Sequence, residues 1–157
     1  MNFGALDWFV ALFVTAICFL PALLFARWDG VEAWGWALAY GAAAIVGHVF
    51  SIYMRFRGGK GVATAAGVFL ALAPGAVLPA LVVWLVVLRL GRMVSLASIC
   101  AAVTLLVALA ATERRAPVLV LGVLVAAFVV YAHRTNVRRI LRGEEYRFGA
   151  KPREGVR

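Results

Sequence analysis

Acidic side chains are scarce in this chain: Asp and Glu together number 7 among 157 residues. Paired-acid catalysis and carboxylate-rich metal sites therefore have little to draw on. Charged residues of both signs make up 15%, against roughly a quarter in a soluble domain. Cysteine is nearly absent, with only Cys18 and Cys100, each inside a separate apolar run and without neighbouring ligands. That excludes a disulfide scaffold and a thiolate metal cluster, and reads as two buried apolar thiols. No basic residue precedes Arg27, so the N-terminus lacks the basic n-region of a signal peptide.

What fills the chain instead is apolar. The hydrophobic set accounts for 65% and mean hydropathy is +0.96. One globule of this length cannot bury so much apolar side chain behind its own surface. An integral membrane protein follows. The net charge is +9 and the pI near 10.8. In a soluble chain that balance would suggest nucleic acid. Here the charges sit at the ends of apolar runs, so they set topology, and no nucleic-acid partner is expected.

A bilayer core of ~30 Å needs roughly 20 apolar residues as helix, and lipid cannot satisfy free backbone groups in any open structure. Candidate spans run over 5–26, 34–54, 62–88, 94–111 and 117–132. Trp28, Trp34 and Trp36 suit an interfacial belt. Pro74-Gly75, with Pro79 following, breaks the third stretch and predicts a hairpin of two short arms, about 12–13 residues each. The hairpin gives about six membrane segments. With the N-terminus inside, it places thirteen basic residues on the cytoplasmic side and three outside. A single unbroken span gives the weaker division of eleven to five. The expected architecture is therefore an all-α polytopic transmembrane bundle, with residues 1–132 as the membrane domain and 133–157 as a basic cytoplasmic tail. In the hairpin topology the loop at 58–61, the turn at 92–95 and the segment 133–136 share one side. In the five-span topology the first and last are separated by the bilayer.

Two short segments could carry chemistry. The first is Arg55-Phe56-Arg57-Gly58-Gly59-Lys60-Gly61-Val62-Ala63-Thr64. Three glycines in four positions let the backbone approach a ligand closely. A helix is expected right after them, and its free N–H groups favour an anion. Lys60 and the flanking arginines add charge. No strand precedes the loop and Gly-Lys-Gly replaces Gly-Lys-Ser/Thr, so it is not a Walker loop. The blander alternative is a flexible basic loop. The second segment is His133-Arg134-Thr135-Asn136-Val137-Arg138-Arg139-Ile140-Leu141-Arg142-Gly143-Glu144-Glu145. His133 and Asn136 fall on one helix face by spacing. Histidine can move a proton near neutral pH, and asparagine can orient a phosphate or hydroxyl. The alternative is a basic juxtamembrane helix resting on anionic headgroups. His48 closes the second span. Ser95 follows the third cytoplasmic loop, where a serine ordinarily hydrogen-bonds within the bundle. No metal cluster and no Ser-His-Asp arrangement is suggested.

Together these pieces resemble the bacterial acyl-phosphate:glycerol-3-phosphate acyltransferases, integral membrane enzymes of phospholipid biosynthesis. The resemblance rests on Gly47-His48, on Phe56 to Thr64, on Ser95-Leu96 and on His133-Arg134-x-Asn136-x-x-Arg139-Ile140-x-x-Gly143-x-Glu145, in the family's order and spacing over about residues 45 to 148. It implies acyl transfer from acyl phosphate to glycerol 3-phosphate, giving lysophosphatidic acid, with no metal or organic cofactor. Membrane lipid is the surrounding medium, and no protein partner is implied. The implied catalytic residues are Lys60, Ser95, His133 and Asn136. The implied substrate-binding residues are His48, Arg57, Gly58, Gly59, Gly61, Arg134 and Glu145. The implied location is a bacterial cell membrane, with site and C-terminus cytoplasmic. The family's N-terminal span and its Gly-Ser-Gly-Asn-type segment find no match here. Ser51 replaces a family Pro, and Arg57 a family Lys. The alternative expectation is therefore a catalytically impaired homologue that binds anions or lipid at the membrane.

Overall fold

Proline sets the main break in this chain. A computed structural model describes residues 33–50 and 59–149. The expected first span, Cys18, Arg57 and Gly58 lie outside those residues. Six helices are described: α1 Ala33–Val49, α2 Val62–Leu72, α3 Pro74–Gly91, α4 Val94–Thr112, α5 Ala116–Ala132 and α6 Arg134–Leu141. Among the described residues the fold is all-α.

Pro74 has no N–H and disfavours helical backbone at the residue before it. Ala73 accordingly leaves the helical region, at φ −149° and ψ 67°, while its own N–H still closes α2 on the Phe69 carbonyl at 2.7 Å. Pro74 then opens α3, a position where the missing N–H costs nothing. The arms are 11 and 18 residues, not the two of equal length expected. Pro79 is the reason: it sits inside α3, where only the exposed carbonyl of Gly75 loses a partner, and the helix continues. At 1.5 Å per residue, α2 is ~17 Å long and α3 ~27 Å. Helices α3 and α4 are each long and apolar enough to cross a bilayer, and α5 with α6 qualifies only as a pair bent by 50°.

Hydrogen bonds fix how the helices run. At one end, the Arg115 guanidinium in the α4–α5 turn donates to the Leu72 carbonyl at 2.6 Å and lies 5.5 Å from the ring centre of Trp34, at the start of α1. At the other end, Lys60 before α2, Ser95 at the start of α4 and Asn136 in α6 belong to one hydrogen-bond network. The chain thus goes out along α2, returns along α3, goes out along α4 and returns along α5. This is the hairpin topology. Because α2 is ~10 Å shorter than α3 and both meet at Pro74, the loop carrying Lys60 is recessed into the bundle.

Small residues let the helices close. A Cβ on Gly41 of α1 would stand 2.5 Å from Val68 of α2, and one on Gly122 of α5 would stand 2.6 Å from Leu109 of α4. Val68, Phe69, Leu109 and Val118 are wholly buried at these crossings. Trp84 of α3 reaches the Ser98 hydroxyl of α4 at 3.4 Å. Leu78, Val82, Leu85, Val86 and Leu90 of α3 face outward, as lipid-facing residues do. Cys100 is a half-buried free thiol.

Candidate functional site

The glycine loop is shaped by close approach. A Cβ on Gly59 would lie 2.3 Å from Nε2 of His48, so glycine lets the loop pass the imidazole where it stands. Gly61 adopts φ 73° and ψ 0°, the left-handed region that glycine takes without strain, and it is the N-cap of α2. No side chain caps that helix end. The N–H groups of its first turn therefore have no intrahelical carbonyl, and the helix dipole adds partial positive charge there. Lys60 sits directly before this terminus and donates from Nζ to Oδ1 of Asn136, 76 residues away.

The second half of the site is an elbow. The spacing predicted one continuous helix face through His133 and Asn136. Instead α5 ends at Ala132, and His133 serves as C-cap of α5 and N-cap of α6. Both side chains are nonetheless buried, at 3% and 7% exposure. His133 Nδ1 pairs with the Val129 carbonyl at 2.8 Å. A carbonyl only accepts, so this contact places the proton on Nδ1 and leaves Nε2 as the lone-pair nitrogen. Asn136 uses both ends of its amide: Oδ1 accepts from Lys60, and Nδ2 donates to Glu145 Oε1 at 2.7 Å.

Glu145 joins the halves. Gly143, at φ 69°, turns the chain back after α6. The Glu145 carboxylate then accepts from Ser95 Oγ, Asn136 Nδ2 and Arg139 Nε, each at 2.7 Å. Farther on, Phe148 is fastened to Arg92 in the α3–α4 turn. Its N–H donates to the Arg92 carbonyl at 2.6 Å, and Arg92 Nε donates to its carbonyl at 2.8 Å. Arg92 takes φ 55°, unusual for a non-glycine residue, and this pairing holds it there.

The electrostatics follow from burial. Lys60 is held below the usual lysine range, first by burial and also by the charge of Arg139, with Glu145 opposing. His133, just beyond the end of α5, is lowered chiefly by burial, which disfavours the imidazolium. The Val129 contact and Glu145 oppose that shift, and Lys60 adds to it. Burial alone would raise Glu145, but its bonds from Arg139, Ser95 and Asn136, with the Arg139 charge, outweigh it and hold the carboxyl low. At neutral pH the site is an anionic Glu145 and a neutral His133, with Lys60 and Arg139 as its cations.

The structure thus brings together Lys60, Ser95, His133, Asn136 and Glu145, with Gly59, Gly61 and His48 on the loop side. It does not bring in Arg134, which is exposed, donates to the Tyr131 carbonyl at 3.2 Å and covers the Tyr131 ring at 4.3 Å. Arg139 and Arg92 enter the architecture without having been singled out as site residues. Arg139 lay in the quoted motif, but nothing in the spacing distinguished it from its neighbouring arginines. Among the described residues no group of three His, Cys, Asp or Glu could hold a metal.

The chain as a whole is similar to known proteins. The family described as glycerol-3-phosphate acyltransferase matches residues 3–143. That match reaches well before residue 45, where the motif resemblance starts. The glycerol-3-phosphate acyltransferase of Geotalea daltonii is 46% identical over 110 residues, covering 70% of this chain and 57% of that protein. The one from Aquifex aeolicus is 38% identical over 130 residues, covering 83% and 67%. Two crystal structures of PlsY, an integral membrane glycerol 3-phosphate acyltransferase, superpose with a TM-score of 0.76 at 36% identity over 90% of this chain. One is a glycerol 3-phosphate form and the other a lysophosphatidic acid form. The chain spans 57% to 67% of the length of these two curated relatives.

Proposed function

The chain belongs to the glycerol-3-phosphate acyltransferase family, and from that premise we propose that it transfers a fatty acyl group from acyl phosphate to glycerol 3-phosphate. The observation that carries this reading is the Lys60–Asn136 hydrogen bond, which joins the glycine loop to the His-Arg-x-Asn elbow at one end of the bundle.

Both substrates bear phosphate, and the site offers what a phosphate needs. The open N-terminus of α2 and the Lys60 ammonium supply positive charge. Asn136 fixes where that ammonium points. Acyl phosphate is already activated, so holding a glycerol hydroxyl beside its carbonyl carbon supplies much of the rate. The hydroxyl oxygen forms the new ester bond and the carbon–phosphate oxygen bond breaks. Phosphate carries away the bonding pair, and the hydroxyl proton passes to His133 Nε2 or to a phosphate oxygen. Lys60 and the backbone donors stabilise the charge that develops. His133, neutral and with Nδ1–H committed to Val129, has its lone pair on Nε2 for that proton. Ser95, held by Glu145, lines the same pocket, and His48, Gly59 and Gly61 shape its loop side. Arg134, turned onto Tyr131, stays outside this arrangement.

The protein is a bacterial membrane protein. The basic excess at the ends of α3 and α6 supports placing this end of the bundle, and the tail, in the cytoplasm. The test is donor choice. Purified protein is given labelled glycerol 3-phosphate with palmitoyl phosphate, palmitoyl-CoA or palmitoyl carrier protein. Lysophosphatidic acid is expected with palmitoyl phosphate alone. Product from the thioesters but not from the acyl phosphate overturns the reading. Glycerol 3-phosphate binding without product from any donor returns the non-catalytic alternative.

A further inference from the structure

One buried hydroxyl stands apart from the network. Thr64 is the third residue of α2, wholly buried at 0% exposure, and its Oγ1 has no hydrogen-bond partner. Helical threonines ordinarily satisfy the hydroxyl on the carbonyl four residues back. Thr104 does so on Cys100 at 2.9 Å and Thr112 on Ala108 at 2.7 Å. Thr64, with Lys60 four residues back, does not. A buried polar group left unpaired destabilises the fold, and valine has the same shape without the hydroxyl. Keeping threonine here therefore points to a role outside packing.

Its placement suggests which. A helical side chain leans toward the N-terminus of its helix, over the preceding turn. For Thr64 that turn is the uncapped start of α2, where the N–H groups of Val62, Ala63 and Thr64 have no helical acceptor. The loop lying over this end contributes Gly59 and Gly61, so no side chain beyond Cα intervenes from either.

We propose that Thr64 is a further phosphate-binding residue, its hydroxyl donating to a phosphate oxygen seated on the first turn of α2. This rests on the acyl-transfer reading above and adds a buried neutral donor to the charge of Lys60. The phosphate belongs to glycerol 3-phosphate or to acyl phosphate, and separate KM values distinguish them.

The test compares Thr64→Val, which keeps the shape and removes the hydroxyl, with Thr64→Ser, which keeps the hydroxyl. Thr64→Val is expected to melt no lower than wild type, yet to raise KM for one phosphate substrate about tenfold with kcat little changed, the loss of one hydrogen bond. Thr64→Ser is expected to keep both KM values within about twofold. A folded Thr64→Val with wild-type KM for both substrates overturns the proposal. So does a Thr64→Ser as impaired as Thr64→Val. Thr64→Ala, which also lacks the hydroxyl, is read the same way if valine does not fit. Calorimetric binding of glycerol 3-phosphate and of inorganic phosphate separates this claim from the parent reading. Weakened binding by Thr64→Val in a wild type without turnover sinks the acyl-transfer reading and leaves Thr64 standing, and a wild type that binds neither anion sinks both.

Discussion

The two ends of the bundle both hold a cation against a carboxylate, and they do it in opposite ways. At the far end the pair is local: Glu113 and Arg115 are two residues apart, bonded through Nε and Nη2, and the same guanidinium also seals the Leu72 carbonyl. Glu113 is pushed down to about 2, first by the Arg115 side-chain bonds. At the loop end the partners are distant in sequence. Lys60, Ser95, Asn136, Arg139 and Glu145 come from two helices, a loop and a turn. Here burial pushes Lys60 toward its neutral form. The far end closes a helix break. The loop end places a half-buried cation beside an uncapped helix terminus, an arrangement stabilised further when an anion arrives.

That contrast predicts a gradient of effects. Lys60→Ala should lower kcat/KM about 100-fold or more while leaving the melting temperature unchanged or higher, since a partly desolvated charge is removed. Steady-state kinetics beside a thermal melt checks both halves. Gly59→Ala should cost about 10- to 100-fold in kcat/KM, because its Cβ cannot coexist with the His48 ring as it stands and the ring or the loop must shift. Near-normal kinetics there would show that the loop geometry does not matter to catalysis. His133 gives a pH signature. Its folded value is lowered, so the neutral imidazole persists below the ordinary ~6.5. The acid limb of kcat/KM should therefore fall below pH ~6.5. Protonating His133 also costs folding stability, so that contribution is intact at neutral pH and lost as pH drops through its folded value. The smallest effect on activity is expected at the far end. Arg115→Gln should destabilise by about 1–3 kcal/mol, through the Leu72 carbonyl and Glu113 left with poorer partners, while turnover per folded molecule stays within about twofold.

Much of this was legible in the residues. Pro74 announced the helix break, and three glycines around a lysine announced a loop opening a helix. The arm lengths were not legible, because Pro79 fell near enough to the start of α3 to be absorbed. The helix break between α5 and α6 was not legible either. His133 stands at a 50° elbow and Asn136 in the helix beyond it, where the spacing had suggested one continuous helix. Glu145 looked from spacing alone like one of two carboxylates in a basic tail. Its role depends on the left-handed turn at Gly143 and on Phe148 fastening to Arg92, and neither contact has a local sequence signal. Thr64 was invisible for a similar reason: a hydroxyl without a partner is a property of packing, not of spacing.

The claim at the centre is that Lys60 and Asn136 handle one phosphate as a unit. A double-mutant cycle on glycerol 3-phosphate affinity, measured by calorimetry with Lys60→Ala, Asn136→Ala and the pair, tests it directly. The double variant should bind no more weakly than the worse single variant. Losses that simply add would mean that the two residues act apart.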